Sequence, residues 1–100
     1  MEKFIFLFRG GTGQEDWSNW IEDLKQKGAY LEGAPLIRDG RIVEQSGQKV
    51  KDFIFDIEEN ARGFAILQAA NIEGAIKLSE GCPVFSNGGN VTIRPIHEEF

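Results

Sequence analysis

Residues 3–11 read KFIFLFRGG, and this stretch decides the fold of the chain. An aromatic-rich apolar run that ends at a pair of glycines is typical of a β-strand, so we predict a strand over Lys3–Arg9. The run is apolar at nearly every position rather than at alternate positions. We therefore expect a central strand that is covered on both faces, or one that lies at a dimer contact.

The next segment, residues 14–27, has the periodicity of an amphipathic helix. Glu15 and Asp16 lie in its expected first turn and lysines lie in its last, which matches the direction of the helix dipole. Asp23 and Lys27 have the spacing of an i,i+4 ion pair. The apolar residues recur at helical spacing and form one stripe, which consists of Trp17, Trp20, Ile21 and Leu24.

The middle of the chain is predicted to be extended. Asp39-Gly40 stands between two β-prone runs, which is a strong hairpin signal, so we expect strands near Ala34–Arg38 and Arg41–Gln45. Residues 49–59 form a further extended segment. Residues 63–70, GFAILQAA, are predicted to form a strand that is apolar on both faces.

A second helix and a last strand complete the chain. Asn71 is a favourable N-cap, and the helix that follows it is expected to stop at Gly81. A loop runs through residues 82–89. Residues 90–96, NVTIRPI, are predicted to form an edge strand, because Pro95 cannot donate a hydrogen bond to a neighbouring strand.

The predicted order of elements indicates an α+β fold. One domain over residues 1–100 would form a ferredoxin-like split β-α-β sandwich with an inserted β-hairpin. Two helices cover only one face of such a sheet, and we expect the other face to carry the aromatic residues of the first strand. Burial of that face favours a homodimer joined sheet to sheet.

Composition narrows the possible partners and location. The net charge of −5 argues against a nucleic-acid backbone and against an anionic membrane surface as partners. A single cysteine, Cys82, permits no disulfide within the chain, so we expect a cytoplasmic protein and an inert thiol. One histidine and one cysteine form no ligand spacing, and we predict neither a metal nor a cofactor.

Three stretches of the chain resemble the DGPF branch of the YCII-related family. They are FIFLFRGG at the start, residues 52–64 with Asp52, Phe55 and Gly63-Phe64, and the tail CPVFSNGGNVTIRPI. The motif Asp-Gly-Pro-Phe reads Asp52-Phe53-Ile54-Phe55 here, so a continuous strand is expected in place of a turn. The resemblance implies a small dimeric α+β barrel protein. Some relatives are suspected enzymes with a His-Asp arrangement, and others accompany regulatory genes.

Several residues are candidates for ligand contact. The glycines of GGTG at residues 10–13 fit neither a Walker loop nor a dinucleotide fingerprint, so they are predicted to turn the backbone, while Thr12 is available to a ligand. Arg9 and Arg94 end the first and last predicted strands. Each is expected either to pair with a carboxylate of the protein or to bind a carboxylate ligand in bidentate fashion.

The candidate catalytic residues are Asp52 and His97. Asp52 retains the acid of the family motif, and Phe55, which retains its aromatic residue, is predicted to contact the ligand. His97 is either a solvated residue of the tail or a general base. Two functions stay open: a domain that binds a small polar or aromatic molecule near Asp52 and acts as a homodimer, or an acid–base enzyme acting on a small carbonyl or lactone substrate through Asp52 or His97.

Overall fold

The computed structural model describes residues 1–47, 49–52 and 61–100 of the chain. This part of the chain is a small α+β unit with a four-stranded antiparallel sheet, a two-stranded sheet and two α-helices. The strands and helices, in chain order, are β1 (Glu2–Arg9), α1 (Ser18–Gln26), β2 (Tyr30–Pro35), β3 (Arg41–Glu44), β4 (Lys49–Asp52), β5 (Gly63–Ala69), α2 (Ile72–Leu78) and β6 (Asn90–Pro95).

The large sheet has the strand order β2-β5-β1-β6, and each neighbouring pair is antiparallel. The prediction that the first strand is central is confirmed, and so is the prediction that the last strand lies at an edge. Phe8 lies opposite Gly63 of β5 and opposite Val91 of β6. This register places the end of β1 beside the beginning of β5, where the candidate site lies.

The core lies between one face of the sheet and the two described helices. The helical stripe predicted from the sequence is confirmed, because Trp20 and Leu24 of α1 are buried while Trp17 and Ile21 pack against the core from its margin. The indole Nε1 of Trp20 also donates a 3.1 Å hydrogen bond to the carbonyl of Leu78 at the end of α2. The two helices are thereby joined at the core.

The aromatic residues of β1 lie on the face that the helices cover, and the prediction that they face away from the helices is wrong. Phe4, Phe6 and Phe8 are 1%, 0% and 5% exposed. Successive side chains of a strand point to opposite faces, so one of the two alternating sets of β1 had to enter the core. The set with the larger side chains did so, since burying a phenylalanine fully stabilises the fold by about 1.5–3 kcal/mol relative to leaving it exposed.

The opposite face of the large sheet, called the far face below, carries a smaller apolar group. The register pairs Ile5 with Ile66 and Leu7 with Phe64, so these four side chains share one side of the sheet. All four are half-buried. The far face is therefore apolar at its centre but lacks the aromatic residues of β1.

The hairpin predicted at Asp39-Gly40 is wrong. β2 ends at Pro35 and pairs with β5, whereas β3 pairs with β4 across a short 3-10 turn, Gln45–Gly47. In that turn Gln45 and Gly47 have φ angles of 52° and 89°, and residues with positive φ suit a tight reversal. The carboxylate of Asp39 instead closes a local turn, accepting hydrogen bonds from Gly40 N–H and from Arg41.

β2 begins at Tyr30, earlier than predicted, and its pairing with β5 is irregular. The register shifts between Tyr30 and Glu32, which breaks the alternation that a sequence pattern shows. Gly33 marks a close approach of two backbones, since a Cβ atom there would lie 2.7 Å from the carbonyl oxygen of Phe64. The strand predicted over residues 34–38 overlaps the observed strand only at its end.

The helix ends follow local hydrogen bonds. α1 starts at Ser18 rather than at Gln14, and the carboxylate of Asp16 accepts hydrogen bonds from the N–H and hydroxyl of Ser18 just before the first turn. The predicted ion pair of Asp23 and Lys27 is present at 2.9 Å. Asn71 caps α2 as predicted, accepting a 2.8 Å hydrogen bond from Gly74 N–H.

The extended segment predicted over residues 49–59 is described only in its first part. Residues 49–52 form β4, and the remainder of the segment lies outside the described residues.

A 3-10 turn, Pro83–Asn87, replaces the first part of the loop predicted before the last strand. Gly89, which comes after this turn, packs closely against the end of β1, since a Cβ atom on this residue would lie 2.7 Å from the carbonyl oxygen of Arg9. Neither of the two described helices has both the length and the apolar character needed to cross a lipid bilayer.

Candidate functional site

A cavity of about 460 Å³ opens between the glycine loop (residues 10–13), the start of α1, β2 and the start of β5. It lies at the end of the sheet where β1 leaves and β5 enters. Its wall includes Phe8, Gly13, Glu15, Trp17, Tyr30 and Arg62.

The apolar wall of the cavity is a set of packed aromatic rings. The rings of Phe8 and Trp17 meet edge to face with centroids 4.8 Å apart, and Trp17 meets Trp20 in the same way at 5.8 Å. Such pairs stabilise a protein by about 0.5–1.5 kcal/mol in addition to the effect of burying their surface, and the two rings hold each other in place. The cavity is therefore bounded by rings whose positions the core sets.

Tyr30 of β2 also lines the cavity, and its hydroxyl is held by the backbone of the same strand. That hydroxyl donates a 3.3 Å hydrogen bond to the carbonyl of Gly33, and Lys25 lies 5.4 Å from the centre of the tyrosine ring. A ring that is half-buried and bonded at its polar end presents an ordered edge to the cavity.

The glycine loop closes on a carboxylate of the protein itself. Oε2 of Glu15 accepts hydrogen bonds of 2.8 Å from both the N–H and the hydroxyl of Thr12, and Oε1 accepts one of 3.1 Å from Gly13 N–H. A third donor to Oε2 is the side-chain amide of Asn87, also at 2.8 Å. These hydrogen bonds, led by the one from the backbone of Thr12, lower the pKa of Glu15 from 4.5 to about 2.

This arrangement answers whether the glycines bind a phosphate. Gly10, Gly11 and Gly13 have φ angles of 78°, 78° and 80°, so the prediction that they turn the backbone is confirmed. The N–H groups of Thr12 and Gly13, which would face an anion in a phosphate loop, are bonded to Glu15. The loop holds the carboxylate of Glu15 where a phosphate would otherwise lie.

Arg62 is a cationic residue of the cavity wall. Its backbone is held on both sides, because its N–H donates to the carbonyl of Phe8 at 2.7 Å and its carbonyl accepts from Leu36 N–H at 2.8 Å. Nη1 of Arg62 lies 3.4 Å from the point that a Cβ on Gly13 would occupy, which places the guanidinium at the glycine-loop end of the cavity. Within the described part of the chain, that guanidinium forms neither a hydrogen bond nor an ion pair.

Arg62 was missed by reasoning from the sequence. The only signal is its position directly before Gly63, the glycine that starts β5. An isolated arginine at a strand start is common and has no motif. Its proximity to the glycine loop follows from the pairing of β1 with β5, which the sequence does not state.

The predicted ligand residues Arg9 and Arg94 lie on the far face of the sheet. Nη1 of Arg9 donates a 2.7 Å hydrogen bond to the hydroxyl of Thr92. Arg94 is exposed and lies opposite Ile5 in the register of β1 and β6.

The third predicted ligand residue, Thr12, lies in the glycine loop, where its hydroxyl donates to Glu15. The structure therefore does not bring these three residues together.

The predicted catalytic residues lie in separate parts of the chain. Asp52 is the last residue of β4, paired with Arg41 of β3, and its side chain lies outside the described residues. Phe55 also lies outside them. His97 follows β6 and is exposed, with its Nδ1 at 2.8 Å from the carbonyl oxygen and 3.2 Å from the backbone nitrogen of Glu99. Neither catalytic role is tested by this geometry.

Cys82 is buried, with 3% of its surface exposed. Burial raises the pKa of its thiol from 9.0 to about 11, although a hydrogen bond with the backbone of Val84 acts in the opposite direction. The thiolate form, which is the reactive one, is thus disfavoured, as the sequence predicts. Among the side chains that the structure describes, no three of the types His, Cys, Asp or Glu converge on a point that could hold a metal ion.

Comparison of the chain with protein-family models finds none that matches, and comparison with curated proteins finds no match either. The resemblance to the DGPF branch of the YCII-related proteins therefore stays a prediction.

Proposed function

We propose that this chain is a small-molecule-binding or regulatory domain that acts as a homodimer, with its ligand in the cavity beside the glycine loop. The observation that carries the proposal is the cavity of about 460 Å³, with an aromatic wall and one guanidinium that lacks a partner among the described residues. Sites for small molecules typically measure about 300–1,000 Å³ and combine apolar walls with a few polar groups.

The position of the cavity within the fold also supports ligand binding. Its walls come from β1, α1, β2 and β5, so residues distant in sequence meet there. Phe8 is 5% exposed and Trp17 packs against it, which gives the site a rigid apolar side. A rigid wall lowers the entropy that binding costs, because few side chains have to be ordered.

We also propose that the large sheet has the ferredoxin-like arrangement of dimeric α+β barrel proteins. If its strands alone are numbered in chain order, their order across the sheet is 2-3-1-4. A helix connects the first strand to the second, and another connects the third to the fourth. This connectivity supports a split β-α-β sandwich in which β3 and β4 are inserted between the second and third strands.

The far face supports a homodimer. Ile5, Leu7, Phe64 and Ile66 are half-buried side chains at the centre of this face, and none belongs to the core beneath the helices. A second copy placed sheet to sheet would remove their apolar surface from water, at about 25 cal/mol per Å². Membership of the DGPF branch would imply the same assembly.

The binding site is tested by filling the cavity. Titration of the ¹⁵N-labelled protein with a library of small aromatic and polar fragments should shift the backbone amides of Gly10, Gly13 and Gly63, which line the cavity. Ile21→Trp would place a larger side chain on the same wall and should abolish those shifts. Ile76→Trp on the exposed side of α2, where Ile76 is 53% exposed, should leave them unchanged.

Fragments that shift no amide of the cavity would contradict the proposal. So would shifts that persist unchanged in Ile21→Trp. Shifts confined to the far face would favour a ligand between the two sheets instead, and the cavity would then be a gap in the packing.

The acid–base enzyme is the alternative proposal. It needs Asp52 or His97 within hydrogen-bond reach of a substrate, about 2.6–3.2 Å. Asp52→Asn and His97→Ala should each abolish turnover of a small carbonyl or lactone substrate if that residue moves the proton. Full turnover in both variants would end this version of the function.

A further inference from the structure

We infer that the molecule bound in the cavity carries a carboxylate, which Arg62 holds, and a flat apolar body, which lies against Phe8 and Trp17. This inference rests on the proposed function and adds the chemical class of the ligand to it. Three features of the cavity carry the inference: its cation, its carboxylates and its rings.

The cation is the first feature. A planar guanidinium matches the two oxygens of a carboxylate and can bind both of them. Arg62 is half-buried, its backbone is held between β1 and the residue after β2, and its Nη1 lies next to Gly13. Since no described residue forms an ion pair or a hydrogen bond with its guanidinium, that group can form charge-assisted hydrogen bonds with an acceptor on a ligand.

The two carboxylates of the cavity wall decide which anion fits. Glu15 and Asp16 both line the cavity, yet neither pairs with Arg62. Glu15 accepts hydrogen bonds from Thr12, Gly13 and Asn87, and Asp16 accepts hydrogen bonds from Ser18. Their negative charges remain in place, so a doubly charged phosphate would be repelled more strongly than a singly charged carboxylate.

The aromatic wall accounts for the remainder of the ligand. Trp17 is half-buried and lines the cavity, and the nearly buried Phe8 supports it edge to face on the same wall. Flat rings pack against such surfaces in offset or edge-to-face arrangements. The volume of about 460 Å³ accommodates an acid with one or two rings.

Matched acids and amides test the inference. The probes are 3-phenylpropionate and indole-3-acetate, each compared with its neutral primary amide, and the readout is the shift of the Gly10, Gly13 and Gly63 amides during titration. Each acid should bind at least about tenfold more tightly than its amide, since charge-assisted hydrogen bonds exceed neutral ones by this order.

Variants of Arg62 test its role directly. Arg62→Gln should remove the preference for the acid while it leaves the affinity for the amide within about twofold, and Arg62→Lys should keep part of the preference because it retains the charge but not the fork. The matched control is Arg41→Gln, which removes a guanidinium exposed on β3 and paired with Asp39. This control should retain the full preference.

Each other outcome has a definite meaning. Equal binding of acid and amide in the unmodified protein, measured at the cavity amides, overturns the carboxylate inference but leaves the proposed binding function standing. Tighter binding of benzyl phosphate than of the acids also overturns it. If neither acids nor amides shift the cavity amides, the inference fails, and the fragment titration decides whether the proposed function fails with it. The comparison in the unmodified protein decides the matter even if Arg62→Gln does not fold.

Discussion

The side-chain amide of Asn87 donates a 2.8 Å hydrogen bond to Oε2 of Glu15, joining residues that are 72 positions apart in the sequence. Asn87 ends the 3-10 turn before β6, and Glu15 closes the glycine loop after β1. The hydrogen bond therefore connects the two loops at one end of the sheet. It also completes the set of donors that keeps Glu15 ionised beside the cavity.

The Glu15 carboxylate should titrate far below its ordinary range. Its pKa is lowered from 4.5 to about 2, so the stabilisation that the ionised form provides is complete above about pH 4.5 and is lost as the pH falls through about 2. A ¹³C NMR titration of the side-chain carboxyl groups measures this midpoint. A midpoint for Glu15 near 4.5 would contradict the hydrogen-bonded loop.

The substitution Glu15→Gln should weaken the glycine loop at neutral pH. An amide cannot accept all the hydrogen bonds that the two carboxylate oxygens accept from Thr12, Gly13 and Asn87. Amide hydrogen exchange at Thr12 and Gly13 should become faster. The control Glu22→Gln, which removes an exposed carboxylate from α1, should leave their exchange unchanged.

Two glycine substitutions should have opposite effects on stability. Gly33→Ala would place a Cβ atom 2.7 Å from the carbonyl oxygen of Phe64, so β2 and β5 must separate, and we expect a loss of about 1–3 kcal/mol. Gly74→Ala adds a Cβ atom at ordinary contact distances inside α2 and should stabilise by about 0.5–1 kcal/mol. Urea unfolding measures both free energies. Equal effects would show that β2 and β5 are less closely paired than described.

The far face should mediate dimer formation. We expect the protein to have twice its chain mass of 11.2 kDa in light scattering, and Leu7→Asp to convert it to the single-chain mass because a charge would enter the apolar centre of the interface. Ile76→Asp, on the exposed side of α2, should leave the mass unchanged. A protein that is already monomeric without substitution would refute the sheet-to-sheet assembly.

The thiol of Cys82 should react slowly in the folded protein. It is 3% exposed and its pKa is raised to about 11, so both access and the thiolate fraction are low at neutral pH. Its reaction with an aromatic disulfide reagent should be at least about a hundredfold slower in buffer than in guanidinium chloride. Similar rates in the two conditions would show that the 3-10 turn after Cys82 opens readily.

Local patterns predicted the helices better than the strand pairing. The stripe of α1, the Asp23–Lys27 ion pair and the Asn71 cap each depend on residues within a turn or two of one another, and each is present. The hairpin at Asp39-Gly40 failed because the same local signal suits a turn that joins no pair of strands. The turn that joins the paired strands β3 and β4, Gln45–Gly47, has a non-glycine residue, Gln45, at positive φ, which a sequence does not reveal.

The candidate site was predicted less well, for a similar reason. The sequence indicated that the glycine loop would turn the backbone, but it did not show that Glu15 would occupy the donors of that loop. Arg62 carries no motif, and its meeting with Gly13 depends on how β1 pairs with β5. The predicted ligand residues Arg9 and Arg94 were correctly expected at strand ends, yet strand alternation places them on the far face.

By itself, the sequence determined the α+β class, the central position of β1 and the amphipathic face of α1, because these follow from hydrophobic periodicity along short stretches of chain. Tertiary contacts were needed to show which face of β1 enters the core, which strands pair, and that Arg62 lines the same cavity as Phe8 and Trp17. Those outcomes depend on contacts between residues far apart in the chain. Their free energies come from packing and hydrogen bonds that form only when the sheet is assembled.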